Sequence, residues 1–142
     1  MKKTFFILLL IVVAGFSGCK KNNNDTVPKT YVDLYLSLNL PSYTALNTIN
    51  NWVYIGGGNR GIIVYRKSPS DFIALERNCT YDPELSTATI VVQSNNLTAI
   101  DSTCGSKFQI FDGSVSQGPA SRSLVQYNTS YDAGTNTLHI FN

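Results

Sequence analysis

Cysteine and histidine carry much of the nucleophilic and metal-binding chemistry open to a protein, and this chain of 142 residues has few of either: Cys19, Cys79, Cys104 and His139. One histidine excludes any site that needs two imidazoles from the same chain, and disfavours His-rich zinc sites. A Ser-His-Asp arrangement would have to recruit His139. That residue lies in the strand-like run Leu138-His139-Ile140, where a strand-surface histidine is the plain reading, and no nucleophile-elbow pattern is present. Asp71, Asp82, Asp101, Asp112 and Asp132 mostly stand at turn sequences, which accounts for them without an acid–base role. Gly56–Gly61 reads GGGNRG. A phosphate loop would need a Lys-Ser/Thr pair opening a helix, and a dinucleotide fold a helix after its glycines. Ile62-Ile63-Val64-Tyr65 follows instead, so the segment is expected to be a hairpin turn.

Charged residues make up only 14% of the chain and the net charge is +2, which excludes a basic nucleic-acid binder. Lys2 and Lys3 precede the unbroken apolar run Phe5 to Ala14, whose ten residues would span about 15 Å of helix, half a bilayer's hydrocarbon core. Phe16-Ser17-Gly18-Cys19 then closes the segment. This resembles the bacterial lipoprotein signal, which is cleaved before a cysteine whose thiol is lipidated. The resemblance implies a signal peptide over 1–18, a lipid anchor at Cys19 and attachment to a membrane, with several acyl chains giving stable anchoring. Loss of Lys2 and Lys3 leaves nine basic side chains against nine acidic ones, so the mature protein is neutral and no nucleic-acid partner is expected. Residues 19–30 are polar and without hydrophobic period, as in a tether. No acidic cluster follows Cys19. By resemblance to known sorting signals, this implies an outer-membrane anchor facing the periplasm.

Residues 31–142 read as strands of one all-β domain. From Tyr31 to Leu40 the alternation is strict, with Val32, Leu34, Leu36, Leu38 and Leu40 on one face, and Pro41 ends it. Short apolar or β-branched runs follow at 52–55, 61–66, 72–77, 88–93, 97–100, 107–111, 123–127 and 137–141, separated by Gly, Pro, Asn and Asp turn sequences. Thr44–Asn50 has room for one helical turn. Many short strands at regular spacing specify an antiparallel sandwich or barrel.

The second half carries a more specific pattern. Asn78-Cys79-Thr80-Tyr81-Asp82-Pro83 precedes a hairpin; then come Asp101-Ser102-Thr103-Cys104-Gly105-Ser106-Lys107-Phe108, Asp112-Gly113, Gly118-Pro119-Ala120, and Leu124 and Tyr127. In this order the segments resemble the Rieske iron–sulfur domain, over about residues 49 to 142. The resemblance implies an all-β, antiparallel Rieske-like sandwich or barrel with the two cluster-binding loops at one end. Two cysteines and two histidines hold the 2Fe–2S cluster in that family. Here Cys79 keeps the first cysteine position, Tyr81 replaces the first histidine, Asp101 the second cysteine, and Cys104 the second histidine. Gly118 and Pro119 match the loop that covers the cluster, and Ser106 a position that tunes it. Cofactor loss is therefore expected. Because the two loops face each other in the family, Cys79 and Cys104 are expected to form a disulfide, worth about 3 kcal/mol by the chain-entropy argument. Two unpaired buried thiols, or a metal site formed by Cys79, Tyr81, Asp101 and Cys104, are the alternatives.

Three functions follow as expectations. The first is an envelope lipoprotein whose Rieske-like domain serves as a structural or interaction module, not an enzyme, with an envelope protein as its partner. The second is an electron-transfer protein with an unusual 2Fe–2S site. The third is an envelope hydrolase built around His139.

Overall fold

A computed structural model describes residues 26–142; the expected signal segment 1–18, the Cys19 anchor and residues 20–25 of the tether lie outside the described residues. Among the described residues, ten strands form two antiparallel sheets, in agreement with the all-β expectation. The larger sheet has the order β1-β10-β9-β4-β3-β2, where β1 is Asp33–Ser37, β2 Trp52–Ile55, β3 Ile62–Arg66, β4 Phe72–Glu76, β9 Gln126–Asp132 and β10 Thr137–Phe141. The smaller has the order β5-β6-β7-β8, comprising Ile90–Val92, Thr98–Asp101, Lys107–Gln109 and Val115–Gln117. Among the described residues, no helix is long and apolar enough to cross a membrane.

Strands β3 and β4 are the spine, and their sequences explain why. IIVYR and FIALE are nearly continuous apolar runs, the pattern of strands covered on both faces. Ile63, Tyr65, Ile73 and Leu75 point to one core, shared with Ala88, Ile90, Ala99, Phe108 and Ile110 from the smaller sheet and its flanks. Their neighbours Ile62, Val64, Phe72 and Ala74 point to a second core, closed by Val32, Leu36, Leu38, Leu138 and Ile140. The large sheet thus curls over its own far strands and packs the small sheet on its back. Burying a side chain of the size of Phe108 stabilises by about 1.5–3 kcal/mol.

Local chemistry sets the turns. Asn95 Oδ1 accepts the Leu97 and Thr98 N–H groups at 3.0 and 3.1 Å, closing the β5–β6 hairpin. Asp132 accepts the Gly134 N–H and the Thr135 hydroxyl, each at 2.8 Å, at the β9–β10 turn. These are the side-chain-to-backbone bonds that favour Asn and Asp in turns.

Three expectations need correction. The first strand is shorter than Tyr31–Leu40, and Leu40 is half exposed, because Leu40 N–H turns back to the Ser37 carbonyl and a 3-10 helix, Pro41–Asn47, begins. The strand expected over 123–127 begins at Gln126 and runs to Asp132; Leu124 N–H instead bonds the Gly113 carbonyl. Asn128-Thr129-Ser130 hides it, since its apolar signal is weak and its pairing comes from β4 and β10. Strand β8 is also absent from the sequence reading: three residues with two exposed polar side chains at a sheet edge leave no periodicity to read.

Candidate functional site

Three connections converge at one end of the small sheet. The first leaves β4 and carries Cys79, held in place by a backbone bond from Cys79 N–H to the Ala88 carbonyl at 3.0 Å and by the Asn78–Thr89 bridge. The second is the β6–β7 turn, which carries Cys104. Its reversal needs Gly105 at φ +79°, and Gly105 N–H returns to the Asp101 carbonyl at 2.8 Å. The third follows β8 and carries Gly118 and Pro119, joined by a cis peptide.

The chain's own groups tie these connections together. Cys79 and Cys104 Sγ atoms stand 3.7 Å apart as free thiols; a disulfide would bring them to about 2.05 Å. Cys104 Sγ lies 3.3 Å from Asp101 Oδ2 and 3.0 Å from Ser106 Oγ. Ala120 N–H donates to that same Ser106 hydroxyl at 2.9 Å, docking the Gly118-Pro119 connection onto the Cys104 turn. Thr80 donates through its hydroxyl to the Arg122 carbonyl at 2.6 Å, and Gln117 Nε2 to the Gly105 carbonyl at 3.3 Å. Arg60 completes the clamp from the β2–β3 turn: its guanidinium donates to the Ser86 carbonyl at 2.8 Å and the Leu85 carbonyl at 2.6 Å, pinning the segment that follows Cys79.

Of the four positions that the resemblance matches to cluster ligands, the structure brings three to one point. The Sγ atoms of Cys79 and Cys104 and a carboxylate oxygen of Asp101 lie within 4.8 Å of one another. Cys79 and Asp101 are buried and Cys104 is partly exposed. Tyr81 packs against the adjoining apolar core. Burial, above all, pushes the Cys79 thiol far above its ordinary range; the Tyr81 backbone N–H works against this, and Asp101 and Cys104 add to it. At neutral pH Cys79 is therefore a thiol.

The 2Fe–2S cluster that the resemblance implies does not fit these residues. Such a cluster needs two ligand pairs, one for each iron. Three donors converging on one point serve a single centre, and the imidazole is elsewhere. His139 lies on β10 in the large sheet, opposite Tyr35 of β1 and Ser130 of β9. Its Nε2 meets Asp33 Oδ1 at 2.7 Å, and its ring is stacked between Tyr35 and Phe141, at centroid separations of 4.1 and 4.5 Å. Ser130 is the cross-strand neighbour of His139, but among the described residues the imidazole is hydrogen-bonded to Asp33 and not to Ser130.

Sequence reasoning missed a second polar centre. The Glu76 carboxylate is fully buried at the end of β4, and accepts N–H groups from Asn59 at 2.7 Å, Arg60 at 2.9 Å and Asn78 at 3.0 Å, with the Tyr127 hydroxyl at 2.7 Å. The glycine-rich turn does wrap an anion, but the anion is the protein's own side chain. Burial, then the bond to and charge of Glu76, push the Tyr127 phenol well above its usual range. The signal was a lone glutamate ending an apolar run. No protein-family model matches the chain, and no curated protein matches it.

Proposed function

We propose that the chain is a membrane-anchored lipoprotein of the cell envelope, held through Cys19, whose domain is a Rieske-like fold that has given up its cluster and acts as a non-redox structural or interaction module. The observation that carries this reading is the internal closure of the former cluster end. The space where two loops would grip two irons is crossed by the chain's own contacts, with the Cys79 and Cys104 sulfurs 3.7 Å apart and Ser106 joining the Cys104 turn to Ala120. Those bonds give the domain a rigid end without an electron carrier. Once oxidised, Cys79 and Cys104 form the cross-link between the two loops.

The test is iron and acid-labile sulfide analysis of the full chain purified without oxygen, together with visible and EPR spectra. Colourless, iron-free protein is expected. A visible band with an EPR signal would overturn the reading in favour of 2Fe–2S electron transfer. Anchoring is tested separately: a Cys19→Ser variant should leave the membrane fraction and lose incorporated fatty acid.

A further inference from the structure

The geometry points to a mononuclear metal site: Cys79 Sγ, Cys104 Sγ and Asp101 Oδ2 bind one borderline-soft divalent cation of the zinc class, with water in the fourth position. The edge lengths carry the argument. In a tetrahedral zinc site with Zn–S of about 2.3 Å and Zn–O of about 2.0–2.2 Å, two sulfurs lie about 3.75 Å apart, and a sulfur and an oxygen about 3.6 Å. Here the corresponding separations are 3.7 Å for the sulfurs and 3.3 Å between Cys104 Sγ and Asp101 Oδ2. Two edges of the donor triangle are thus close to what the ion requires, and all three donors lie within 4.8 Å of one another.

The surroundings make the same case. Asp101 is buried, and its Oδ2 faces the Cys104 thiol, a weak donor. A buried carboxylate is usually held by a strong partner or a metal. Its other oxygen accepts the Thr103 N–H at 2.8 Å, which fixes the direction of the carboxylate as an outer-shell bond does in a metal site. The Ser106 N–H points at Cys104 Sγ at 3.4 Å, and the Tyr81 N–H at the Cys79 sulfur, so each thiolate formed on binding meets a backbone donor. Two thiolates and one carboxylate suit zinc better than magnesium or calcium, which prefer all-oxygen shells. On binding, the two thiol protons leave to the buffer, and no electron is transferred.

The site belongs to the reduced protein, since the Cys79–Cys104 cross-link would consume both sulfur ligands; iron and sulfide analysis tests the non-redox reading and zinc binding tests this site, so either can fail alone. The full chain, reduced and stripped by chelator, is titrated with zinc chloride and followed by native mass spectrometry, with cobalt(II) as a spectroscopic probe. One equivalent of zinc should bind with release of two protons, and cobalt should give a thiolate charge-transfer band with intense tetrahedral bands. Cys104→Ala should abolish both signals. Asp101→Asn, which keeps the side chain's shape, should weaken affinity at least about tenfold, while His139→Ala should leave it unchanged. Circular dichroism confirms that each variant is folded. Absence of stoichiometric binding, or binding that survives Cys104→Ala, overturns the site.

Discussion

The Tyr127 hydroxyl donates a 2.7 Å hydrogen bond to Glu76 Oε2 between neighbouring strands β9 and β4. The register pairs of the two strands are Ala74–Tyr127 and Leu75–Gln126, continued by the Glu76 N–H to the Val125 carbonyl at 2.8 Å, and the side-chain bond adds to this short ladder. It also completes the shell of a buried carboxylate whose other partners are backbone N–H groups of the glycine-rich turn and of Asn78. One side chain thereby links β4, β9, the β2–β3 turn and the segment that leads to Cys79.

Glu76→Gln should therefore be costly. It removes the charge and turns an amide NH₂ toward backbone donors, at a cost of about 2–4 kcal/mol. Tyr127→Phe removes one donor and should cost about 1–2 kcal/mol. Urea unfolding of the full chain measures both. Equal, near-zero losses would remove Glu76 as an organising centre.

Gly58 and Gly56 provide a matched pair. Gly58 has φ +64°, and a Cβ there would overlap the Glu76 carboxylate and lie 2.7 Å from Tyr127 Oη. At Gly56 a Cβ would meet nothing within 4 Å. Gly58→Ala should destabilise by about 1–3 kcal/mol, and Gly56→Ala should stay within about 0.5 kcal/mol of the parent. Thermal unfolding compares them, and similar midpoints for the two variants would contradict the packing described.

Alkaline pH should expose the Tyr127 environment. Below about pH 10 the phenol is protonated in both folded and unfolded chains, so it contributes no pH dependence there. Above that value the unfolded phenol ionises, while the folded one keeps its proton because burial and Glu76 hold its pKa high. The unfolded state then binds fewer protons, so stability falls as pH rises. Tyr127→Phe should flatten this part of the stability profile; an unchanged slope would show that another group causes it.

The two thiols should react in order. In metal-free protein, iodoacetamide should label Cys104, which is partly exposed, well before Cys79, which is fully buried. Peptide mapping by mass spectrometry reads the order. Under a disulfide oxidant, unlabelled protein should yield a linked pair of peptides carrying Cys79 and Cys104, since a shift of the partly exposed sulfur from 3.7 Å closes the bond. Early labelling of Cys79 would mean that the loops open readily.

The strand class was legible from residues alone, while the double-sided burial of β3 and β4 emerged only in the fold. IIVY and FIAL are apolar at every position, and the fold buries both faces of these runs. Alternation also placed Val32, Leu36 and Leu38 inward, as found. Strands β8 and β9 were not legible, because their polar residues gain partners only from strands distant in sequence. At the candidate site, the motif order singled out Cys79, Tyr81, Asp101 and Cys104, but spacing along a chain contains no distances. Only the folded chain decided that three of these donors meet within 4.8 Å while Tyr81 joins the apolar core.

The same division explains Glu76 and the single histidine. The sequence by itself determined that one histidine cannot supply a two-imidazole cluster half, because residue types are absolute. It also marked GGGNRG as a turn before a strand. What that turn encloses was settled by tertiary structure, which brings residue 127 to residue 76 and buries the carboxylate between them. A buried charge is tolerated only where donors converge on it. Convergence belongs to the fold, since the donors come from residues 59, 60, 78 and 127.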